Sequence, residues 1–345
     1  MTTLLFIFLA ALSSALLVTP LLTKLAIRND LVRSPTERCT HTQAMPRIGG
    51  VALYISFFLA IFTSVLLQTD ISNLILYETR LQVIFLAATL IFLVGLWDDF
   101  FGLSALPKLF FQLIAAIITW LGGVQINVLS TSISGGVQLD WLSLPVTVFW
   151  IVLVINAINL IDGLDGLAAG VTLFVSLLML LICIIAHKYL IALGFAALAG
   201  STLGFLRYNF NPASIFMGDS GSYFLGYCLA SLSILGSVKG QATLAMLTPF
   251  LALGVPLFDA LLAPLRRFFR GQKLFSPDQS HMHHRLVKCG LKQRNVVLLL
   301  YGITILLSII AMLLVYARDE QAAFILLVPA VVCCLFFHIS QTWLH

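Results

Sequence analysis

Residues 141–186 read WLSLPVTVFWIVLVINAINLIDGLDGLAAGVTLFVSLLMLLICIIA. The two charge-free runs in it, 141–161 and 166–186, are each long enough to cross a hydrocarbon layer about 30 Å thick as a helix rising about 1.5 Å per residue. Between them sit Asp162, Gly163 and Asp165, preceded by Asn156 and Asn159. A soluble core helix has no need of such length, and a simple membrane anchor has no need of the polar residues.

The same pattern fills the chain. Charge-free or nearly charge-free spans are expected at 1–23, 48–69, 81–97, 107–121, 141–161, 166–186, 189–206, 220–238, 240–258, 296–317 and 321–344. The composition agrees: 60% of the 345 residues are hydrophobic, 10% are charged, and the mean hydropathy is +1.05. Thirty-three charged side chains cannot cover the surface of a soluble core made from so much apolar material. Disorder, collagen-like repeats and a secreted disulfide scaffold are excluded on the same ground. The expected fold is an all-α, polytopic membrane protein of about eleven helices.

Orientation follows from the basic residues. The first span carries no Lys or Arg before it and is followed by Lys24, Arg28, Arg33 and Arg38, so it is expected to be an anchor with the amino terminus outside. Alternate loops then hold fifteen Lys and Arg on the cytoplasmic side against Arg80, Lys188, Lys239 and Arg318 outside, which puts the carboxyl terminus inside. The whole of 1–345 reads as a single domain whose active-site loops, 23–47, 97–108, 159–166, 207–221 and 265–295, share the cytoplasmic face. The stretch Gly122 to Gln138 reads as an outer loop. The six cysteines show no metal spacing and read as small hydrophobes.

Against this background the acids are informative. Asp98, Asp99, Asp162, Asp165 and Asp219 all fall at span ends on the expected cytoplasmic face, where a carboxylate must be hydrated, paired or bound to a cation. One such Asp merely marks a helix end; five on one face point to a site. Asp98 and Asp99 are adjacent and repel, so they call for a divalent metal, a shared proton or a basic partner such as Lys108. Asn156 and Asn159, three apart, share a helix face, and the two Asp-Gly steps that follow let backbone and carboxylates approach a phosphate or a hard cation. Asp219, in Phe216-Met217-Gly218-Asp219-Ser220-Gly221-Ser222, reads either as a helix cap or as a ligand. His281, His283 and His284 lie in the most basic loop, beside Arg266, and read as phosphate donors, since no further Cys or His completes a zinc set.

Taken in order, Pro46-Arg47-Ile48-Gly49-Gly50, the Asp98-Asp99 pair with Lys108, Asn159 to Gly166, Phe216 to Ser222 and His281-Met282-His283-His284 resemble the five cytoplasmic signatures of the polyprenyl-phosphate N-acetylhexosamine-1-phosphate transferases. The resemblance covers nearly the whole chain. The His-x-His-His form and an eleventh helix resemble the branch that uses UDP-GlcNAc, and not the peptidoglycan branch. The first loop departs from the family, with Cys39-Thr40 before His41, so only Arg47 is carried over from that region.

The resemblance implies transfer of a sugar-1-phosphate from a UDP-N-acetylhexosamine to undecaprenyl phosphate with release of UMP, initiating a lipid-linked surface glycan such as O-antigen or teichoic acid at the bacterial inner membrane. It implies Mg²⁺, or Mn²⁺ in its place, held by Asp219 and Asn159. By the same resemblance Asp98 or Asp99 deprotonates or orients the lipid phosphate, and Asp162 and Asp165 line the nucleotide pocket. Phe216 stacks on uracil near Asn209, while Arg47, Lys108, Arg266, His281, His283 and His284 grip phosphates or sugar. The lipid bilayer is the implied surrounding, a homodimer is compatible with the sequence, and no nucleic acid is expected as a partner. The rival reading is an ion- or proton-coupled transporter, which would place its acids at mid-span in broken helices. Asp259, late in the ninth span, comes nearest to that; the other acids sit at one face.

Overall fold

A computed structural model describes residues 1–33, 45–67, 77–129, 137–236, 249–269 and 282–316. Among them the helices are α1 (Thr2–Arg28), α2 (Gly49–Leu66), α3 (Thr79–Phe101), α4 (Ala105–Leu121), α5 (Ser143–Ile161), α6 (Leu167–Ile185), α7 (Tyr189–Asn209), α8 (Gly218–Gly236), α9 (Gly254–Phe269), α10 (Met282–Lys288) and α11 (Gln293–Tyr316). Two antiparallel pairs of two-residue strands complete the described structure: β1 (Val32–Arg33) with β2 (Met45–Pro46), and β3 (Val128–Leu129) with β4 (Val137–Gln138). The second pair forms the base of the expected outer loop. The first was not expected; it pairs the segment that follows α1 with the segment that leads into α2.

Seven segments of the described residues are long and apolar enough to cross a membrane: α1, α2, α3, Asp140–Ile161 ending α5, α6, α7 and the first part of α11. Helix α4 is apolar but shorter, as its sequence suggested. The expected span 321–344 lies outside the described residues, as does the first half of 240–258. Several boundaries move. Helix α1 runs on through Lys24 and Arg28, α3 includes Asp98 and Asp99 in its last turn, and α9 carries Arg266 within a helix where a loop from 265 was expected. Each extension continues backbone hydrogen bonding into the polar headgroup zone, where charged side chains no longer oppose a helix.

Helix α8 is the axis of the bundle. Apart from Asp219 and Leu235 its residues are buried, among them Ser220, Ser222, Ser231 and Ser233. A helix surrounded by protein gains nothing from lipid-facing leucines; small residues serve it better, because they let neighbouring backbones approach closely. Gly95 of α3 faces the start of α8, where a Cβ would stand 2.6 Å from the Asp219 carbonyl oxygen, and Gly226 faces α5, where a Cβ would stand 2.7 Å from Ile155 Cα. Buried hydroxyls find partners across the same contacts, as in Thr119 with Tyr227 at 2.6 Å. These close approaches bring the ends of α3, α4, α5 and α8 to a single point.

Candidate active site

At that point Asp99 crosses from α3 to complete α8. Its Oδ1 accepts the Asp219 N–H at 2.8 Å, and its Oδ2 accepts the Ser220 N–H at 3.0 Å and the Ser220 hydroxyl at 2.6 Å. A helix start leaves its first N–H groups without intrahelical partners, and a carboxylate there satisfies them and complements the helix dipole. Here the cap comes from another helix. Gly218 makes this geometry accessible: its φ of +77° is left-handed, and a Cβ on it would stand 2.5 Å from Asp99 Oδ2 and 2.7 Å from the Arg47 carbonyl oxygen.

Asp98, one residue earlier, turns about 100° round the helix and does something else. Its Oδ1 accepts the Leu103 N–H at 2.6 Å, fixing the α3–α4 turn, while its Oδ2 is ion-paired with the Lys108 ammonium. Lys108 also reaches Asp219 Oδ2 at 3.0 Å, so one cation bridges two carboxylates. Arg47, carried by the β2–α2 junction, approaches Asp219 Oδ1 at 3.7 Å and Asp99 Oδ1 at 3.9 Å. That junction is fixed in turn by Phe216 N–H to Pro46 O at 2.9 Å, Gly49 N–H to Phe216 O at 2.9 Å and Gly50 N–H to Met217 O at 2.8 Å. Asn159 donates to Asp219 Oδ1 at 3.1 Å and to Ser222 Oγ at 2.9 Å. The expectation that Asn159 lies beside Asp219 matches this geometry, in which its amide N–H rests on that carboxylate.

Three carboxylates with two basic side chains leave this cluster about one negative charge. It opens into a cleft of about 590 Å³ lined also by Asp30, Phe100 and Phe101. Among the described residues no three His, Cys, Asp or Glu side chains converge as a ready-made metal cage. Mg²⁺ does not require one: it is commonly held by one or two carboxylates with substrate phosphates and water completing six oxygens. Asp219, whose side chain is 15% exposed and lines the cleft, is a donor of that kind, so the residues fit a hard divalent ion.

The second acidic motif separates into parts. Asp162, half-buried just past α5, has its carboxyl pushed well above the usual carboxylate range, first by burial and then by the Asp219, Asp99 and Asp165 charges, with Arg47 opposing. It stays in the electrostatic reach of the cluster. Asp165 does not line an open pocket: it is buried, and its Oδ2 accepts Asn211 Nδ2–H at 3.0 Å and the Ala213 N–H at 3.2 Å. Asn209 also bonds main chain, accepting the Gly166 N–H at 3.2 Å and donating to the Ile215 carbonyl at 2.9 Å. These two side chains staple the Asp-Gly turn to the 209–216 loop that ends in Phe216, which is half-buried. Asn156 leaves the site altogether and donates to Gln112 of α4 at 2.7 Å.

Tyr301 of α11 closes the back of the turn, donating to the Gly166 carbonyl at 2.5 Å. Tyr301 has no signal in the sequence, because a hydroxyl inside an apolar span carries no distinguishing pattern, and Ser220 and Ser222 stand in the Phe216–Ser222 motif without an expected role. His281 lies outside the described residues; positions 266, 283 and 284 are helical, on α9 and α10.

Comparison with known proteins gives a consistent result. The description "Glycosyl transferase family 4" matches residues 81–237. A probable undecaprenyl-phosphate N-acetylglucosaminyl 1-phosphate transferase of Bacillus subtilis is 38% identical over 322 residues, covering 93% of this chain and 87% of that protein. A decaprenyl-phosphate N-acetylglucosaminephosphotransferase of Mycobacterium leprae is 39% identical over 302 residues, covering 80% and 75%. An undecaprenyl-phosphate alpha-N-acetylglucosaminyl 1-phosphate transferase of Thermotoga maritima is 28% identical over 322 residues, covering 92% and 91%.

Proposed function

Because the chain belongs to glycosyl transferase family 4, we propose that it transfers GlcNAc-1-phosphate from UDP-GlcNAc to undecaprenyl phosphate at the cytoplasmic face of a bacterial inner membrane, releasing UMP. The observation that carries this reading is the convergence of Asp98, Lys108, Arg47 and Asn159 on Asp219 at the mouth of one cleft. The cluster suits the joining of two anions, and its place at one end of the bundle gives no support to a translocation path through mid-span.

In the transfer, an oxygen of the lipid phosphate attacks the β-phosphorus of the UDP-sugar. The new P–O bond forms as the bond from that phosphorus to the bridging oxygen breaks, and the oxygen leaves with UMP. Asp98, which lines the cleft beside Lys108, is the candidate base for the proton of the lipid phosphate, and Lys108 would hold that phosphate by its positive charge. Asp99 holds the start of α8, and with it Asp219, in place. Mg²⁺, or Mn²⁺ in its stead, would be held by Asp219 with Asn159 beside it, and would supply charge neutralisation on the pyrophosphate. Arg47 adds a second positive group on the side of Asp219 away from Lys108. Phe216 offers a ring for uracil and Asp162 a polar wall, while Arg266 and the histidines of 281–284 bind phosphate or sugar. The basic loops raise the local concentration of both anionic substrates.

The deciding experiment is a membrane assay offering UDP-GlcNAc and several other UDP-sugars with undecaprenyl phosphate, with and without Mg²⁺, scored by UMP release and lipid product. Lipid-linked GlcNAc and UMP in equal amounts are expected. Turnover with another hexosamine and none with GlcNAc refutes the substrate assignment, and Mg²⁺-independent turnover refutes the metal.

A further inference from the structure

Asp259 takes no part in the chemistry above, yet it is 2% exposed inside α9. Burying a carboxylate is costly, and an apolar side chain of the same size would pack an ordinary helix contact at least as well. Its Oδ2 accepts the Met282 N–H at 3.2 Å, across twenty-three residues of sequence. Met282 opens α10, a seven-residue helix too short to hold its shape alone.

On α10, Met282, Arg285 and Leu286 are buried and form one face. Positions 283 and 284 fall about 100° and 200° round the helix from Met282, off that face. The short helix is thus set by a packed side and by one charged acceptor at its first N–H group. The acceptor ties the first turn of α10, the turn that carries positions 283 and 284, to α9.

We propose that Asp259 is a positioning residue for UDP-sugar binding: its buried carboxylate ties α10, the helix that carries positions 283 and 284, to α9. This rests on the proposed transferase reading and deepens it.

The test uses the full chain in detergent or membranes, with kcat and KM for UDP-GlcNAc measured at saturating undecaprenyl phosphate. Asp259→Ala, which removes the acceptor, is expected to raise KM at least about tenfold while kcat stays within about threefold. Asp259→Asn, whose carbonyl still accepts the Met282 N–H, is expected to recover KM to within about threefold of the parent. Asp259→Leu keeps the volume and drops the acceptor; it is measured alongside, so that whichever apolar variant assembles carries the test. In a cycle with His283→Ala, the combined KM change should not exceed the larger single one. An unmoved KM in the apolar variants, an Asn variant as damaged as they are, or additive effects in the cycle overturn the proposal. Absence of UDP-sugar turnover in the parent chain overturns the transferase reading itself and the proposal with it, a result distinct from parent turnover with an unmoved KM.

Discussion

Replacing Asp99 by alanine removes three hydrogen bonds that α8 receives from α3, at 2.8, 3.0 and 2.6 Å. Two of the donors are backbone N–H groups of a helix start, and the carboxylate that serves them has only 2% of its side chain exposed. Loss of a side-chain cap costs about 0.5–2 kcal/mol, and hydrogen bonds to a charged group about 1.5–3 kcal/mol each. The cleft admits water to Asp219, so part of that loss is recovered by hydration, and a destabilisation of about 2–4 kcal/mol is expected. Activity should fall further than stability. Asp219 follows the displaced helix start, and a shift of about 1 Å in a reacting constellation costs about a hundredfold in rate. The comparison is Asp98→Ala, which takes nothing from α8 but loses the acceptor of one backbone N–H, that of Leu103; it should abolish turnover and lose less stability than Asp99→Ala. Thermal unfolding of the purified proteins in one detergent, followed by fluorescence, is read beside the membrane transfer assay. An Asp99→Ala protein that melts with the parent, or an Asp98→Ala protein that melts far below an intact Asp99→Ala protein, refutes the division of labour between the two acids.

Three further outcomes are expected. Asp219→Asn should reduce turnover by on the order of 10² or more and shift the Mg²⁺ dependence to higher concentrations; near-full activity at limiting Mg²⁺ removes Asp219 from the metal. Gly218→Ala should lose about 1 kcal/mol or more of stability from the left-handed φ alone, together with activity as the new Cβ meets the Asp99 carboxylate, whereas Gly290→Ala, at a φ of +89° with open space around it, should lose stability with little change in turnover. A cysteine placed at Gln279, after removal of Cys39 and Cys289, should react with an impermeant thiol reagent only in inverted vesicles; labelling from the other face reverses the orientation.

Much of the site was legible because charge is rare in this chain. In an apolar span, Asp98, Asp99 and Asp219 stand out as soluble-protein acids would not, and the structure brings the three together with Lys108 and Arg47. What the pattern could not separate was which polar groups face substrate and which face backbone. Asp165 and Asn209 have the same residue types and spacing as their neighbours, yet their partners are main-chain groups and Asn211 on a loop some forty-five residues away, a distinction that exists only once the loop is folded. The axial place of α8 was hidden for a related reason. Its serines and glycines lower its hydropathy, which sequence reading takes as weak membrane character, when they mark the helix that no lipid touches.

The cap on α8 also bears on how the protein is made. Asp99 and the first of its donor groups are 120 residues apart, with four further helices between them in the order of synthesis. Until α8 enters the membrane, Asp99 is a carboxylate near the bilayer boundary without its native donors, and such a group favours the headgroup zone over the protein interior. The end of α3 therefore settles late, when α8 threads into the centre and its first N–H groups meet the waiting acid. Nascent chains arrested before residue 218 should leave this part of the molecule open to water and to the cell's membrane quality control, and a complete bundle and a competent catalytic centre arise in the same step.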